Sequence, residues 1–390
     1  MAPERDIEIH GLVDRRFSRV RDAFAANFAE FGDIGAACCV YVRGHAVVDI
    51  HAGVADATTG APWCDDTIAM VFSSTKGVTA ACASLLVERG EIDPDAPVAR
   101  YWPEFAQGGK ESIPVRWALS HRAGVPAVDA ALTLDECLAW DPVVRAVAAQ
   151  RPEWEPGTRH GYHARSYGWM AGEIVRRVAG KSLGRFFREE IAEPLGIDFW
   201  IGLPESEESR AARLVPPTPP DDPRVKELYD QFMGPGTLLG RVMTGPSNLF
   251  HYDEMWNTRA LRAAEMPSSN GIGSAHALAR LYASMIGEVD GRRLLAAETI
   301  ARATGEQSRG TDAVLGMPTA FGLGFMLPPS LCLAAAPTAF GHPGAGGSLG
   351  IADPKAGFAL GYVMNRMDMG LTGDPRARAL VAAVYESLEA

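Results

Sequence analysis

Val71-Phe72-Ser73-Ser74-Thr75-Lys76-Gly77-Val78 is the stretch that decides how this chain is read. Downstream of it, Val78, Cys82, Leu85 and Leu86 recur at helical steps and Gly90 follows as a stop, which predicts a helix beginning just after Phe72. Ser73 and Lys76 stand three residues apart at its start, so their side chains fall on one face. Two readings follow. In the first, Ser73 or Ser74 caps the helix and Lys76 is a solvated first-turn residue. In the second, Lys76 activates Ser73 as a nucleophile. That requires burial or a neighbouring cation to lower the lysine pKa. The helix N-terminus would then aim backbone N–H groups at developing negative charge.

The surrounding composition narrows the choice. The chain has 390 residues and is 47% hydrophobic, enough apolar surface for one large or two ordinary domains. Its 37 basic residues against 48 acidic ones leave a net charge of −11, the wrong sign for a nucleic-acid partner. Only five of the basic residues are lysines: Lys76, Lys110, Lys181, Lys226 and Lys355. There is no apolar run of membrane-spanning length. The first residues lack the basic-then-apolar pattern of a secretory leader. Cys38, Cys39, Cys64, Cys82, Cys137 and Cys332 have apolar neighbours and no Cys-x-x-Cys spacing, which suits free thiols in a reducing compartment. The expectation is a cytoplasmic protein that engages neither membrane nor nucleic acid.

Outward from the central motif, the order of elements predicts an α+β fold. Phe17, Val20, Phe24, Phe28 and Phe31 mark a first helix stopped by Gly32. Ala36–Val42 and Ala46–His51 read as strands joined by a hairpin at Arg43-Gly44. Residues 74–200 read as mostly helical, with Tyr167, Met170, Ala171, Ile174 and Val178 on one helix face before Gly180. The proline-rich run 215–224 reads as an extended connector. Phe321–Leu327, Gly347–Ala352 and Gly357–Asn365 read as strands, and a last helix starts at Asp374-Pro375. The economical packing is one antiparallel sheet built from both chain ends with helices on its face, from 1–72 and 240–390. A mostly helical lobe from 73–239 would complete it, with the site in the cleft between the two.

A rival serine lies in Gly346-Gly347-Ser348-Leu349-Gly350, a Gly-x-Ser-x-Gly nucleophile elbow in form. Chain order opposes it, because the last histidine, His342, precedes Ser348. The residues after Ser348 read as a strand rather than the helix an elbow needs. His160 and His163 form an i, i+3 pair, but no further ligand stands nearby at metal-binding spacing.

Two further segments resolve the choice. Residues 156–180 contain Pro-Gly-Thr-Arg-His-Gly-Tyr-His-Ala-Arg-Ser-Tyr, and 341–347 read Gly-His-Pro-Gly-Ala-Gly-Gly. With Ser73-Ser74-Thr75-Lys76, the chain resembles the serine β-lactamase and penicillin-binding-protein-like superfamily over roughly residues 10–385. Within it, the chain most resembles the family VIII carboxylesterases, which are similar to class C β-lactamases. The resemblance implies Ser73 as acylated nucleophile and Lys76 as its activating partner. Tyr162 falls at the tyrosine of the family's Tyr-x-Asn motif and would be the shared base and acid, held as phenolate by Lys76. Tyr167 rivals it only by proximity, since its spacing reads as core. His342 and Gly344 match the ends of the third motif, Lys/His-x-Gly, and the N–H groups of Ser73 and Ala345 would form the oxyanion hole. Phe232, Phe250 and Trp256 are candidates for the substrate pocket. Two departures stand out: Ala164 replaces the asparagine of Tyr-x-Asn, and Pro343 follows His342. Both put peptide and β-lactam recognition in doubt and suit a simpler ester; the resemblance implies a small one with a short acyl chain. The implied enzyme needs no metal or organic cofactor and would be a monomer or homodimer.

Overall fold

The computed structural model describes residues 7–218, 222–370 and 372–390. Six strands carry its main sheet: β1 (Ile9–Val13), β2 (Gly35–Val42), β3 (His45–Asp56), β4 (Phe340–Pro343), β5 (Leu349–Asp353) and β6 (Phe358–Met364). Their order is β1-β3-β2-β6-β5-β4, and a short strand at Ala61–Pro62 pairs with β3. Every pairing is antiparallel. The two chain ends meet at the β2–β6 seam, where Val42 lies opposite Phe358 and Ala36 opposite Met364. The fold is the expected α+β arrangement, with one antiparallel sheet made from both ends.

Five helices position the site: α1 (Ser18–Glu30), α2 (Thr75–Glu88), α3 (Ser166–Ala179), α4 (Ala275–Ile286) and α5 (Pro375–Glu389). The period-two alternation of β2 sorts them. Ala36, Cys38 and Val40 share a core with Phe17, Val20 and Phe24 at α1 and with Leu380, Val381 and Val384 of α5. Ala37, Cys39 and Tyr41 face the other way, into the core that holds Leu278, Leu281 and Tyr282 of α4. Helix α4 lies so close to β6 that a Cβ on Gly361 would overlap the Ala275 carbonyl. The Arg43-Gly44 hairpin has φ of 48° and 82°, the doubly left-handed turn that follows strand twist.

Several boundaries differ from expectation for identifiable reasons. Strand β1 went unread because three of its five residues are exposed, so no alternation marks it. Helix α2 is buried from Thr75 to Leu86 rather than along one stripe, which its small residues Gly77, Ala80, Ala81 and Ala83 permit. The strand expected at Phe321–Leu327 ends at Phe321, the last residue of Pro318–Phe321. Beyond it, Gly324 adopts φ 88° and presses against the Tyr167 hydroxyl and Ala80, where a side chain would not fit. Of the connector read at 215–224, residues 219–221 lie outside the described residues. Its end is helical instead, because Asp222 caps a helix over Pro223–Met233.

Candidate active site

The turn that carries Ser73 is held from three sides. A short strand, Ala69–Met70, pairs with Gly271–Gly273. Just beyond it, the Val71 N–H donates to the Gly271 carbonyl at 2.9 Å. Thr75 Oγ1 donates to the Phe72 carbonyl (2.5 Å) and accepts from the Gly271 N–H (2.8 Å). Phe72 itself has φ 42°, a strained setting for a bulky residue. Its buried ring stands edge-on to Tyr252 and Trp256, at 5.3 and 5.1 Å, which over-determines that conformation. Ser73 follows in a single 3₁₀ turn over Phe72–Ser74 before α2 begins. Ser74 occupies the N-cap position but makes no side-chain capping bond, so capping does not explain these serines.

Lys76 is fully buried, not solvated. Its Nζ donates to Ser73 Oγ at 3.1 Å and to the Ser268 carbonyl at 3.0 Å. Burial, reinforced by the Arg165 guanidinium, holds its pKa well below the ordinary lysine range. The Tyr162 ring centre lies 4.9 Å from Nζ. The Tyr162 hydroxyl hydrogen-bonds Ser73, and burial pushes the phenol pKa up. Burial thus favours the uncharged form of each, the amine of Lys76 and the phenol of Tyr162.

The edge strand β4 closes the other side. Ser74 Oγ donates to the His342 carbonyl at 3.1 Å, and Ser348 Oγ donates to the Val71 carbonyl at 2.7 Å. A Cβ on Gly344 would overlap both Val71 O and Ser348 Oγ, so only glycine allows the strand this close. The backbone at Gly344-Ala345 thus runs beside the Ser73 turn. Behind this segment, buried Arg376 donates to Asp33 Oδ1 (2.7 Å), Asp374 Oδ2 (2.7 Å) and the Gly346 carbonyl. Tyr362 donates to the other Asp33 oxygen at 2.6 Å. Arg376→Met would leave the Asp33 carboxylate buried without its cation, a loss of about 3–5 kcal/mol. A urea unfolding series should show it as a lowered midpoint.

The family description "Beta-lactamase" matches residues 24–383. The chain belongs to the beta-lactamase family. Its members at comparable length include "Esterase/beta-lactamase LipL" of Mycobacterium tuberculosis (strain ATCC 25618 / H37Rv), 35% identical over 94% of this chain and 85% of that protein. A crystal structure of a family VIII carboxylesterase is 39% identical, with a TM-score of 0.88 over 98% of this chain and 100% of its own. A penicillin-binding protein homologue from Caulobacter crescentus is 38% identical, with a TM-score of 0.86 over 97% and 100%. This beta-lactamase family chain is an enzyme of the serine hydrolase class. Among the described residues, no helix is long and apolar enough to cross a membrane.

The family fold brings Ser73, Lys76, Tyr162, His342, Gly344 and Ala345 into one region. It does not bring all the aromatic candidates there. Phe250 and Trp256 are fully buried. They stack with Arg165, whose guanidinium carbon lies 4.7 and 5.6 Å from their rings, so they support the site from behind. Phe232 is 59% exposed on the Pro223–Met233 helix. Sequence reasoning missed Arg165, Tyr252, His121 and Asp312. Arg165 sits three residues after Tyr162, hidden in the quoted motif. Asp312 Oδ1 accepts from the Tyr162 N–H at 2.9 Å, but it comes from 150 residues downstream with no local signal.

The histidines are structural in their contacts. His160 Nε2 meets Thr319 Oγ1 at 2.9 Å. His163 Nδ1 donates to the Gly161 carbonyl (2.6 Å), and its Nε2 accepts from the Val125 N–H (3.0 Å). His342 Nδ1 donates to the Pro343 carbonyl at 2.7 Å. Burial lowers the pKa of His163 and of His342 to about 3. An unfolded histidine titrates near 6.5, so between about 3 and 6.5 the unfolded chain binds protons that the folded chain refuses. Stability is then complete above about pH 6.5 and falls on acidification, by ~1.4 kcal/mol per pH unit for each histidine. Unfolding midpoints measured from pH 7.5 to 5 should fall accordingly, and His342→Gln should make that dependence shallower.

Proposed function

We propose that this enzyme is a serine carboxylesterase that hydrolyses small carboxylic esters through an acyl-enzyme on Ser73. One observation carries the proposal: a fully buried Lys76 amine placed 3.1 Å from Ser73 Oγ, its pKa held well below the ordinary lysine range by burial and by Arg165. A lysine whose proton is loosened in this way can serve as a base, and the serine hydroxyl is the group it touches.

In the proposed reaction, Ser73 Oγ attacks the ester carbonyl and its proton passes to Lys76. The carbonyl oxygen becomes an oxyanion, received by the N–H groups of Ser73 and Ala345. The tetrahedral adduct then collapses. Tyr162 gives its proton to the leaving alkoxide and regains one from the Lys76 ammonium. A water molecule next attacks the acyl-enzyme, and the same amine and phenol carry its proton to Ser73 as the carboxylic acid departs. The lysine ammonium exists only while the oxyanion does, and each half-reaction returns the pair to amine and phenol, the forms that burial favours.

The departures at Ala164 and Pro343 support a simple ester. Ala164 is buried and offers no side-chain hydrogen bond to a substrate amide. Pro343, paired with Leu349 on β4, has no N–H to offer a peptide. The relatives' names, esterase and carboxylesterase, support the same class.

The test is a chain-length series of p-nitrophenyl esters together with mass spectrometry of a phosphonate-treated sample. The expected adduct lies on the peptide containing Ser73. Turnover of nitrocefin at rates matching the esters would make the enzyme a β-lactamase instead. Quantitative transfer to an added alcohol would make it an acyltransferase.

A further inference from the structure

A second cluster of reactive side chains lies on the outer half of the sheet, and the ester chemistry does not use it. Cys39 on β2 stands directly opposite Asp49 on β3. His276, in the first turn of α4, reaches both: its Nδ1 is 2.6 Å from Asp49 Oδ2 and 3.9 Å from Cys39 Sγ. The sulfur, carboxylate oxygen and imidazole nitrogen all lie within 4.8 Å of one another. A cleft of about 430 Å³ opens over them. It is lined also by His51, Asp65 and Asp198, and among the described residues no lysine or arginine lines it. The Asp49 and His276 side chains are each 40% exposed, whereas Cys39 is buried beneath them.

Hydrogen bonding alone accounts for part of this. His276 bridges Asp49 and, through Nε2, the Tyr41 hydroxyl at 3.0 Å, which fastens α4 to the sheet. The Cys39 thiol hydrogen-bonds Asp49 and His276 as well, so without metal the three groups share their protons among themselves. The same three atoms, a sulfur, an oxygen and a nitrogen, also converge as a ligand set beneath an open cleft with further acidic side chains on its wall.

We propose that Cys39 Sγ, Asp49 Oδ2 and His276 Nδ1 form a binding site for one zinc-class divalent cation, its fourth position open to the cleft. The mixed sulfur, nitrogen and oxygen set suits zinc and excludes the all-oxygen preference of magnesium and calcium. Zinc ligand distances of about 2.0–2.3 Å put tetrahedral ligand atoms roughly 3.3–3.7 Å apart. The sulfur–nitrogen pair is close to that already, and the Asp49–His276 hydrogen bond opens to admit the ion. Without metal, Nδ1 carries the proton, because the carboxylate it faces has none to give. On binding, the thiol and Nδ1 protons leave. One returns to His276 at Nε2, now a donor to the Tyr41 oxygen, so each cation releases one proton to solvent. The ligands come from β2, β3 and α4, so the bound ion ties the sheet to the helix and stabilises the folded state.

Cobalt(II) is the probe. Titration of the folded, metal-stripped enzyme should develop a thiolate-to-cobalt charge-transfer band that saturates at one equivalent and is displaced by zinc(II). Zinc(II) should also raise the melting temperature. Cys39→Ser should lose the band, and His276→Gln and Asp49→Asn should each weaken binding markedly. Tyr41→Phe should weaken it by about 10-fold through the loss of orientation at Nε2. Cys64→Ser should change nothing. A wild-type titration without a thiolate band, or a band that survives in Cys39→Ser or disappears in Cys64→Ser, overturns the proposal. If Cys39→Ser does not fold, unchanged zinc affinity in both His276→Gln and Asp49→Asn overturns it equally.

Discussion

Ser73→Ala is expected to lower kcat on short esters by a factor on the order of 10⁶, the scale of losing a serine nucleophile outright. KM should change little, since the hydroxyl contributes to bond making rather than to ground-state binding. The folded state should survive, because the substitution removes one hydroxyl from a turn held by Phe72, Thr75 and Val71. Ser348 provides the contrast. Its hydroxyl donates to the Val71 carbonyl and lies 3.1 Å from Ser74 Oγ, with no base among these partners. Ser348→Ala should therefore cost about 1 kcal/mol of stability and retain most of the activity. Phosphonate labelling should disappear in Ser73→Ala and persist in Ser348→Ala. Labelling that follows Ser348 instead would move the nucleophile and revive the elbow reading.

What was legible beforehand follows a physical divide. Ser73 and Lys76 are three apart on a helix, and helical geometry alone brings them together. The hairpin at Arg43-Gly44 and the caps at Gly180 and Asp374 are likewise local, and the structure places each where the pattern did. Tyr162 became visible only through the family's motif, because its contact with Ser73 crosses 89 residues of chain. Arg165 has its effect on Lys76 through space, and no periodicity announces it. The aromatic residues show the converse failure. Phe250 and Trp256 have pocket-like composition, yet they are consumed in supporting Phe72 and Arg165. Composition can nominate a wall but cannot say which side of it faces the substrate.

The scarcity of lysine makes Lys76→Arg the most informative single change. It keeps the net charge at −11 and replaces one of only five lysines with the cation this chain otherwise prefers. A guanidinium cannot surrender its charge, so it cannot take the Ser73 proton. It would also bring a second permanent cation beside Arg165 in a fully buried site. The expected result is a fall in kcat/KM of about 10²–10⁴ or more, with Lys76→Met falling as far. If Lys76 acted only as a positive charge, arginine would rescue and methionine would not, so the pair of variants separates base from cation. The pH profile adds an independent check. A base must be deprotonated to act, and the Lys76 pKa is lowered. Wild-type kcat/KM should hold steady at neutral pH and fall only on acidification, as the amine gains its proton. An enzyme that became active only near pH 10 would have a lysine in its ordinary range, and the buried amine would lose its role.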